Sequence, residues 1–577
     1  MIAERLMMLR RKNTGGRLVV FCLVLCFVAS GAFSAERFRF EKYQGKDNDW
    51  YRSDEAKLIA ENILSWQDEY GSWPKNLDTS ANPYTGQRSD LEGTFDNRAM
   101  TDEMRYMARI FNATNDSRYS DAFINGLELI FKAQYPTGGW PQHFPPGDGY
   151  ARYITFNDDA MIRIMELLED VISDSTYIFV SDDRINDAKK AFDDGLDCIL
   201  KCQVRVDGKL TVWCAQHDEI DYQPRPARSF ELVSLSGGES SGILHFLMNL
   251  KDPSPEVVKA ITSGVRWYRD SEVKGIRIAW VDGKLKAMAD PDARSLWGRF
   301  YDINSNHPIF CDRDGIPKYD YNQIDQERST GYKWYGDWGV GVLGEYEKWK
   351  QKWAARLPED TIVLAIVGDS TVCNYELSQV RRGWGQFIQG YFKSPIEVVN
   401  TARSGRSTKT FIKEGLWKQT LELKPSYILI QFGHNDSHAP EKTEATDAET
   451  TYSDYLRQYV DQSRQIGAVP IFVTPMYRRH FDENGKIKDN LLPYADAMKK
   501  IAAEKKVAVV DLNSASEKLY LKLGEDGSKE LANEADDMTH FNEKGAKLMA
   551  GLVMEQLVTT EPSLGEYLKE KVEKSAD

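Results

Sequence analysis

The sequence predicts a multidomain protein of two fold classes, a mainly α N-terminal domain followed by an α/β domain. Three observations predict it. The chain has 577 residues, and single hydrophobic cores rarely grow past about 250–300 residues. Apolar residues recur with a helical period from residue 53 to about 270. From residue 361 the pattern changes to short β-type runs separated by helical stretches, the alternation of a parallel sheet.

The N-terminus reads as a secretory leader over residues 1–34. Arg10, Arg11, Lys12 and Arg17 precede an apolar run from Leu18 to Ala29, and Ala32-Phe33-Ser34 offers a small-x-small cleavage site. The run is short for a bilayer span. The expected location is therefore the periplasm, medium or surface of a bacterium, with no membrane attachment after cleavage. The leader carries five basic residues and Glu4, so its loss takes the net charge from −14 to about −18. Such a chain suits nucleic acid poorly. A polyanionic substrate would need local Lys/Arg or a bound metal. Aromatics make up 11% of the chain, and their flat faces suit sugar rings as well as helical cores. Outside the leader, Cys198, Cys202, Cys214, Cys311 and Cys373 are scattered and odd in number, which is no disulfide framework.

In the first domain, DAFINGLELIFKAQ puts Phe123, Leu127 and Ile130 on one helical face. DAMIRIMELLEDVI follows at 159–172, and RINDAKKAFDDGLDCILKCQ puts Ile185, Ala188, Phe192 and Ile199 on another face. Ser254 reads as an N-cap with Pro255 at the first helical position. Helix pairs separated by long Gly-, Pro-, Trp- and His-bearing loops predict an α/α barrel or toroid with loops gathered at one end. No internal repeat is read. The boundary falls near 350–360, giving domains at 35–352 and 361–577 and a short linker at 353–360.

In the second domain the run IVLAIV stops at Gly368-Asp369-Ser370. Reactive groups in open α/β sheets sit just past the carboxyl ends of strands. Ser370 is the expected nucleophile, placed after a tight turn at Gly368 and near the amino end of the next helix. Asp537 and His540 in DDMTHF are three apart, close enough for the carboxylate to orient the imidazole that takes the serine proton. Gly405 in NTARSGRS and Asn435 in FGHND supply, with the Ser370 N–H, three donors for an oxyanion hole. In this order GDSTV, GRS, GHND and DMTHF resemble the SGNH hydrolases, and more narrowly the rhamnogalacturonan acetylesterases, over about 361–560. The resemblance implies a flavodoxin-like fold, removal of acetyl groups from pectic sugars, and no cofactor for this domain.

The first domain holds carboxylates and amides where helices meet loops: Asp96 and Asn97, Asp158 and Asp159, and Asp218. Oxygen ligands of this kind suit Ca²⁺. Lys201, Arg225, Arg228 and Arg313 lie among them, and cations beside a hard metal suit an anionic sugar acid. GGWPQ, ITFNDDAM, ILKCQ, TVWCAQHD, PARSFE, SLSGGES and GYKWYG resemble the pectate lyases of polysaccharide lyase family ten, from about 40 to 350. The resemblance implies an α/α toroid-like fold and Ca²⁺-dependent β-elimination of polygalacturonate. It implies metal ligation by Asp96 and Asp158, substrate binding by Asn97 and Arg313, and Arg228 as base with Lys201 as the alternative. The expected partners are polygalacturonate and acetylated pectin. Two rivals stand beside this reading: a lyase-like half that only binds pectin, and an esterase acting on xylan or the rhamnogalacturonan backbone.

Overall fold

The computed structural model describes residues 37–358, 361–488 and 490–569. The leader expected over 1–34 and the last two residues of the expected linker lie outside the described residues.

The N-terminal domain is helix-rich and arranged in two rows. One row holds Asp54–Ser65, Ser117–Ala133, Asp182–Cys202 and Pro255–Asp270; the other holds Thr101–Thr114, Ala160–Ser173 and Glu239–Asn249. Each helix packs on its partner across the rows and on the next helix of its own row, and Trp338–Trp353 covers the far end. The faces read from the sequence are the buried ones: Phe123, Leu127, Ile130, Ala188 and Ile199 are core residues. Ser254 accepts from Val257 N with Pro255 at the first helical position, as its sequence predicts.

The structure corrects one reading. The first row is an internal repeat, carried by a glutamine and a tryptophan after each of its first three helices. Gln67 Nε2 donates to Gly71 O at 3.0 Å and to Ala122 O of the next helix at 2.8 Å. Gln134 does the same to Gly138 O (2.9 Å) and Ala191 O (2.8 Å). Gln203 does so to Thr211 O (2.9 Å) and Ala260 O (3.0 Å). Trp73, Trp140 and Trp213 then donate back to Ile63, Ile130 and Ile199 O at 2.8, 2.8 and 2.7 Å. The last turn of a helix leaves carbonyls without partners, and the three indoles fill that need, while each glutamine ties its loop to an interior carbonyl of the next helix. The second row repeats too. Asp96–Arg98 and Asn157–Asp159 are single 3₁₀ turns, each with a left-handed residue (Asn97 φ 57°, Asp158 φ 51°) leading into a second-row helix.

The C-terminal domain is a five-stranded parallel sheet: β1 (Ile362–Gly368), β2 (Ile396–Asn400), β3 (Tyr427–Gln431), β4 (Val469–Val473) and β5 (Ala508–Val510). The order 2-1-3-4-5 is that of flavodoxin, with its switch point between β1 and β3. Side chains alternate between faces. Leu364, Ile366, Leu429 and Ile471 join the core under Glu543–Thr560, while Ala365, Val367, Ile428 and Ile430 join the one under Ser453–Gln465 and Leu492–Lys505.

The domains touch. The expected linker continues the helix as Ala354–Arg356, and Ala354 packs with Val363, Val399 and Leu423. Gln351 donates to Asn400 O at 3.1 Å. Arg269 reaches Glu397 of β2 at 2.9 Å, and fully buried Lys350 reaches Glu347 at 2.8 Å and Glu397 at 3.8 Å. Two cations thus meet two carboxylates across the junction. The five cysteines are free and buried. No described helix is long and apolar enough to cross a membrane.

Gln67 and Gln203 are buried, so their replacement strands carbonyls rather than exposing them to water. Gln203→Leu should lower the unfolding free energy of this domain by about 1–2 kcal/mol, because Thr211 O loses its donor while Ala260 O, inside its helix, keeps its helical one. Urea unfolding followed by tryptophan fluorescence checks this; an unchanged midpoint would show that the clamp adds no stability.

Candidate active site

The first site lies at the carboxyl ends of β1, β2 and β3. Gly368 ends β1 because of space: a Cβ there would lie 2.7 Å from Gln431 O of β3. Its φ is not in the left-handed range, so the tight-turn reason expected for this glycine gives way to close approach. No helix follows. Ser370 stands on a turn closed by Val372 N and Cys373 N on Asp369 O, which corrects its placement at a helix end. Asp369 is buried and fixes that turn, accepting from Thr371 N and Oγ1 at 2.9 and 2.7 Å.

His540 Nε2 lies 2.9 Å from Ser370 Oγ, and its Nδ1 lies 2.8 Å from Asp537 Oδ2. The predicted trio is therefore brought together from opposite ends of the domain. Asp537 holds its loop by accepting Thr539 N and His540 N on Oδ1, both at 2.8 Å. Burial pushes the Asp537 carboxyl up, but these N–H groups and the imidazole outweigh it and leave it below the usual carboxylate range. An ionised carboxylate only accepts, so Nδ1 carries the proton and Nε2 is free to take the serine's. Burial also dominates at His540 and, against the pull of Asp537, holds its pKa below the ordinary imidazole value.

The other predicted donors converge on the same loops. Gly405 is left-handed at φ 78°. Asn435 Nδ2 donates to Arg406 O at 3.0 Å, tying the β3 loop to the β2 loop, and Arg403 N ties the β2 loop to Gly368 O at 3.0 Å. Sequence reasoning passed over Asp436, which accepts from Thr408 N and Oγ1 and from Thr446 Oγ1 and so fixes the residue next to Asn435. Burial pushes its carboxyl up to about 6. It also passed over His434, which is buried 3.3 Å from Asp369. Both belong to the quoted GHND block, where only the amide was given a role.

The second site lies on the repeated turns of the N-terminal domain. Asp96 is buried; its Oδ2 takes Lys75 and Gln142, while its Oδ1 is buried without a partner. Asn97 Oδ1 accepts from Arg37 at 3.1 Å. Asp158 lies 3.6 Å from Arg299, which also pairs with buried Glu239. Arg299 had no signal in the sequence beyond its own charge. A cavity of about 440 Å³ opens here, lined by Asp158, Glu239 and Arg299 together with Arg163, Lys333 and Trp338.

Arg228, Arg299 and Arg313 surround one aromatic pair. Arg228 lies 4.9 Å from the Phe230 ring and 5.6 Å from Tyr332, Arg313 lies 5.6 Å from Phe230, and Arg299 lies 4.8 Å from Tyr332. Arg228 grips both oxygens of Glu231, Nε at 2.8 Å, and that pairing raises its pKa further. Glu231 thus holds Arg228 in place beside the aromatic pair. Lys201 stands elsewhere, exposed, 2.6 Å from Asp197 and over Tyr222, with its proton held by Asp197. Asp159 pairs with Arg163 at 3.6 Å and Asp218 with Arg225 at 2.9 Å. Among the described residues no group of three or more His, Cys, Asp or Glu is set to hold a metal. A cation here would have two carboxylates at most, and the unpartnered Asp96 Oδ1 is the atom that fits it.

Residues 67–343 match the pectic acid lyase family, and residues 366–548 match the GDSL-like lipase/acylhydrolase family. The probable rhamnogalacturonan acetylesterase YesY of Bacillus subtilis (strain 168) is 38% identical over 193 residues, 33% of this chain and 88% of that protein. The rhamnogalacturonan acetylesterase RhgT of the same organism is 39% identical over 209 residues, 34% of this chain and 88% of that protein. Among solved structures, a family 10 polysaccharide lyase from Cellvibrio cellulosa is 35% identical, covering 52% of this chain and 95% of that one, with a TM-score of 0.47.

With His540 below its ordinary value, kcat/KM for a small acetyl ester should rise with pH to a plateau. Half-maximum should fall below about 6.5. A midpoint above 7 would contradict the burial argument. Asp537→Asn should cost roughly 10³–10⁴-fold in kcat by removing the tautomer control.

Proposed function

We propose that this chain, which belongs to the GDSL-like lipase/acylhydrolase family through its C-terminal domain and carries a pectic acid lyase domain before it, degrades acetylated pectin by two chemistries. The observation that carries the reading is the Ser370–His540–Asp537 alignment at 2.9 and 2.8 Å. Ser370 Oγ attacks the acetyl carbonyl as His540 takes its proton. The Ser370 and Gly405 N–H groups and the Asn435 amide stabilise the oxyanion. His540 then protonates the departing sugar hydroxyl, and a water activated the same way releases acetate.

In the N-terminal domain, Asp96 and Asp158 would hold Ca²⁺, which when bound neutralises a galacturonate carboxylate and so acidifies the neighbouring C5–H. Asn97 and Arg313 bind substrate, Arg313 as a cation facing the uronate. Arg228 is the base, with Lys201 as the alternative; an arginine serves so only through a transient neutral form, which crowding by Arg299, Arg313 and a bound cation would favour. Arg299 and Arg228 are clasped by buried carboxylates. Arg313 meets Glu327 and the Phe230 ring, with the Arg313 and Glu327 side chains more than half exposed, and is open to a substrate carboxylate. The two helix rows, each helix packed on the next, support a toroid-like arrangement whose loops carry this site. Export from a bacterial cell fits both chemistries, since their polymeric substrate is extracellular. A binding-only N-terminal domain has one observation in its favour, the pinned cation at Arg228.

Ser370→Ala should cut acetate release from acetylated pectin by about 10⁴-fold or more while unsaturated products still form. Arg228→Ala should abolish the unsaturated products and leave acetate release intact, whereas Lys201→Ala should retain both. Lyase activity surviving Arg228→Ala would remove it from the base role.

A further inference from the structure

A second cavity, about 300 Å³, opens beside the serine site. Its walls are the segments that build that site: Cys373–Tyr375 follow the nucleophile's turn, and Ala402–Ser404 with Arg406 flank Gly405. Tyr375 OH donates to Ser370 O at 2.8 Å, so wall and nucleophile are one unit.

The cavity's charges do not cancel. Arg406 is committed, with Nε on Glu414 at 2.9 Å and Nη1 on Ser404 O at 2.9 Å. Glu414 is the carboxylate in the lining and is used by that pair. Arg403 is exposed and has no carboxylate partner among the described residues. Its backbone is anchored on Gly368 O, and its positive charge acts on the neighbouring Cys373 thiol. Arg381 adds a second cation on the far side of Tyr375, 5.9 Å from that ring and 3.7 Å from Asp537 Oδ2. An acetyl ester is neutral, and its hydrolysis gives no use to an uncommitted guanidinium at the cavity mouth of a chain with net charge −14.

We propose that Arg403 reads the carboxylate of a uronate residue at or next to the acetylated sugar, and so selects acidic over neutral acetylated backbones. The inference rests on the acetylesterase reading of the Ser370 site. A guanidinium offers a planar fork that matches a carboxylate in two hydrogen bonds. Asn374 and the Ser404 hydroxyl line the same space and are placed for sugar hydroxyls. Glu414, by holding Arg406, leaves Arg403 as the cation free to take the acid.

The test uses the full chain, with EDTA present to silence elimination. Acetate release is measured on acetylated polygalacturonate, acetylated rhamnogalacturonan and neutral acetylated xylan, for the parent, Arg403→Gln and Arg403→Lys. A chromogenic acetate reports the triad independently. The parent should favour both uronate polymers over xylan. Arg403→Gln should shrink that ratio about tenfold, the scale of one charge-assisted contact at an exposed site, through KM rather than kcat. Arg403→Lys should keep most of it, and added salt should erode it in the parent and in Arg403→Lys but not in Arg403→Gln. A parent that prefers xylan, or a ratio unchanged in Arg403→Gln, overturns the proposal. A parent inactive on the chromogenic acetate overturns the acetylesterase reading and the proposal with it.

Discussion

A helix that ends inside a protein leaves carbonyl oxygens facing apolar surroundings, and each must find a donor. The N-terminal domain meets this constraint with a Trp after each of the first three first-row helices, and a Gln ahead of it ties the loop to the next helix. The glutamine bonds both its own loop and an interior carbonyl of the following helix, so the loop that closes one helix end also sets the position of the next helix. The connecting loops are thereby fixed, and they lead to the turns at Asp96–Arg98 and Asn157–Asp159. Asn97 and Asp158 occupy the same left-handed position in successive repeats. The site with its unpartnered Asp96 oxygen is thus a product of repetition.

The C-terminal domain solves a different problem. A parallel sheet with both faces covered leaves its strand ends as the open ground. Three strand ends meet at the switch point, and Gly368 lets β1 approach the Gln431 carbonyl of β3 closely. Asp369 and Asp436 stiffen the two loops from within. The serine, its base and the amide donor are therefore held before substrate arrives, which is where electrostatic stabilisation of an oxyanion gains its advantage. The junction ions at Arg269, Lys350, Glu347 and Glu397 join the two domains through β2 itself.

Much of this was legible in the sequence. The apolar periods gave the helices and all five strands, because burial on one face of a helix or both faces of a sheet leaves an unmistakable pattern. Ser370, Asp537 and His540 were legible because their chemistry requires those residue types. The Gln–Trp repeat was missed because two short spacings of five intervening residues and one of nine share too few letters to stand out. Arg299 was missed because a cation's role depends on which carboxylates the fold brings to it. For the same reason Arg228, whose arginine type suited the base role, proved to be held by Glu231, three residues away in sequence.

The central claim is that one chain performs two independent chemistries on one polymer. It is tested most directly by a single time course on acetylated polygalacturonate that records acetate and near-ultraviolet absorbance together, with and without EDTA. The account predicts both signals from the untreated protein, loss of the absorbance alone in EDTA, and its return with Ca²⁺. Acetate release with no absorbance change under any condition, on acetylated or deacetylated polymer, would contradict it and leave the N-terminal domain a pectin-binding module.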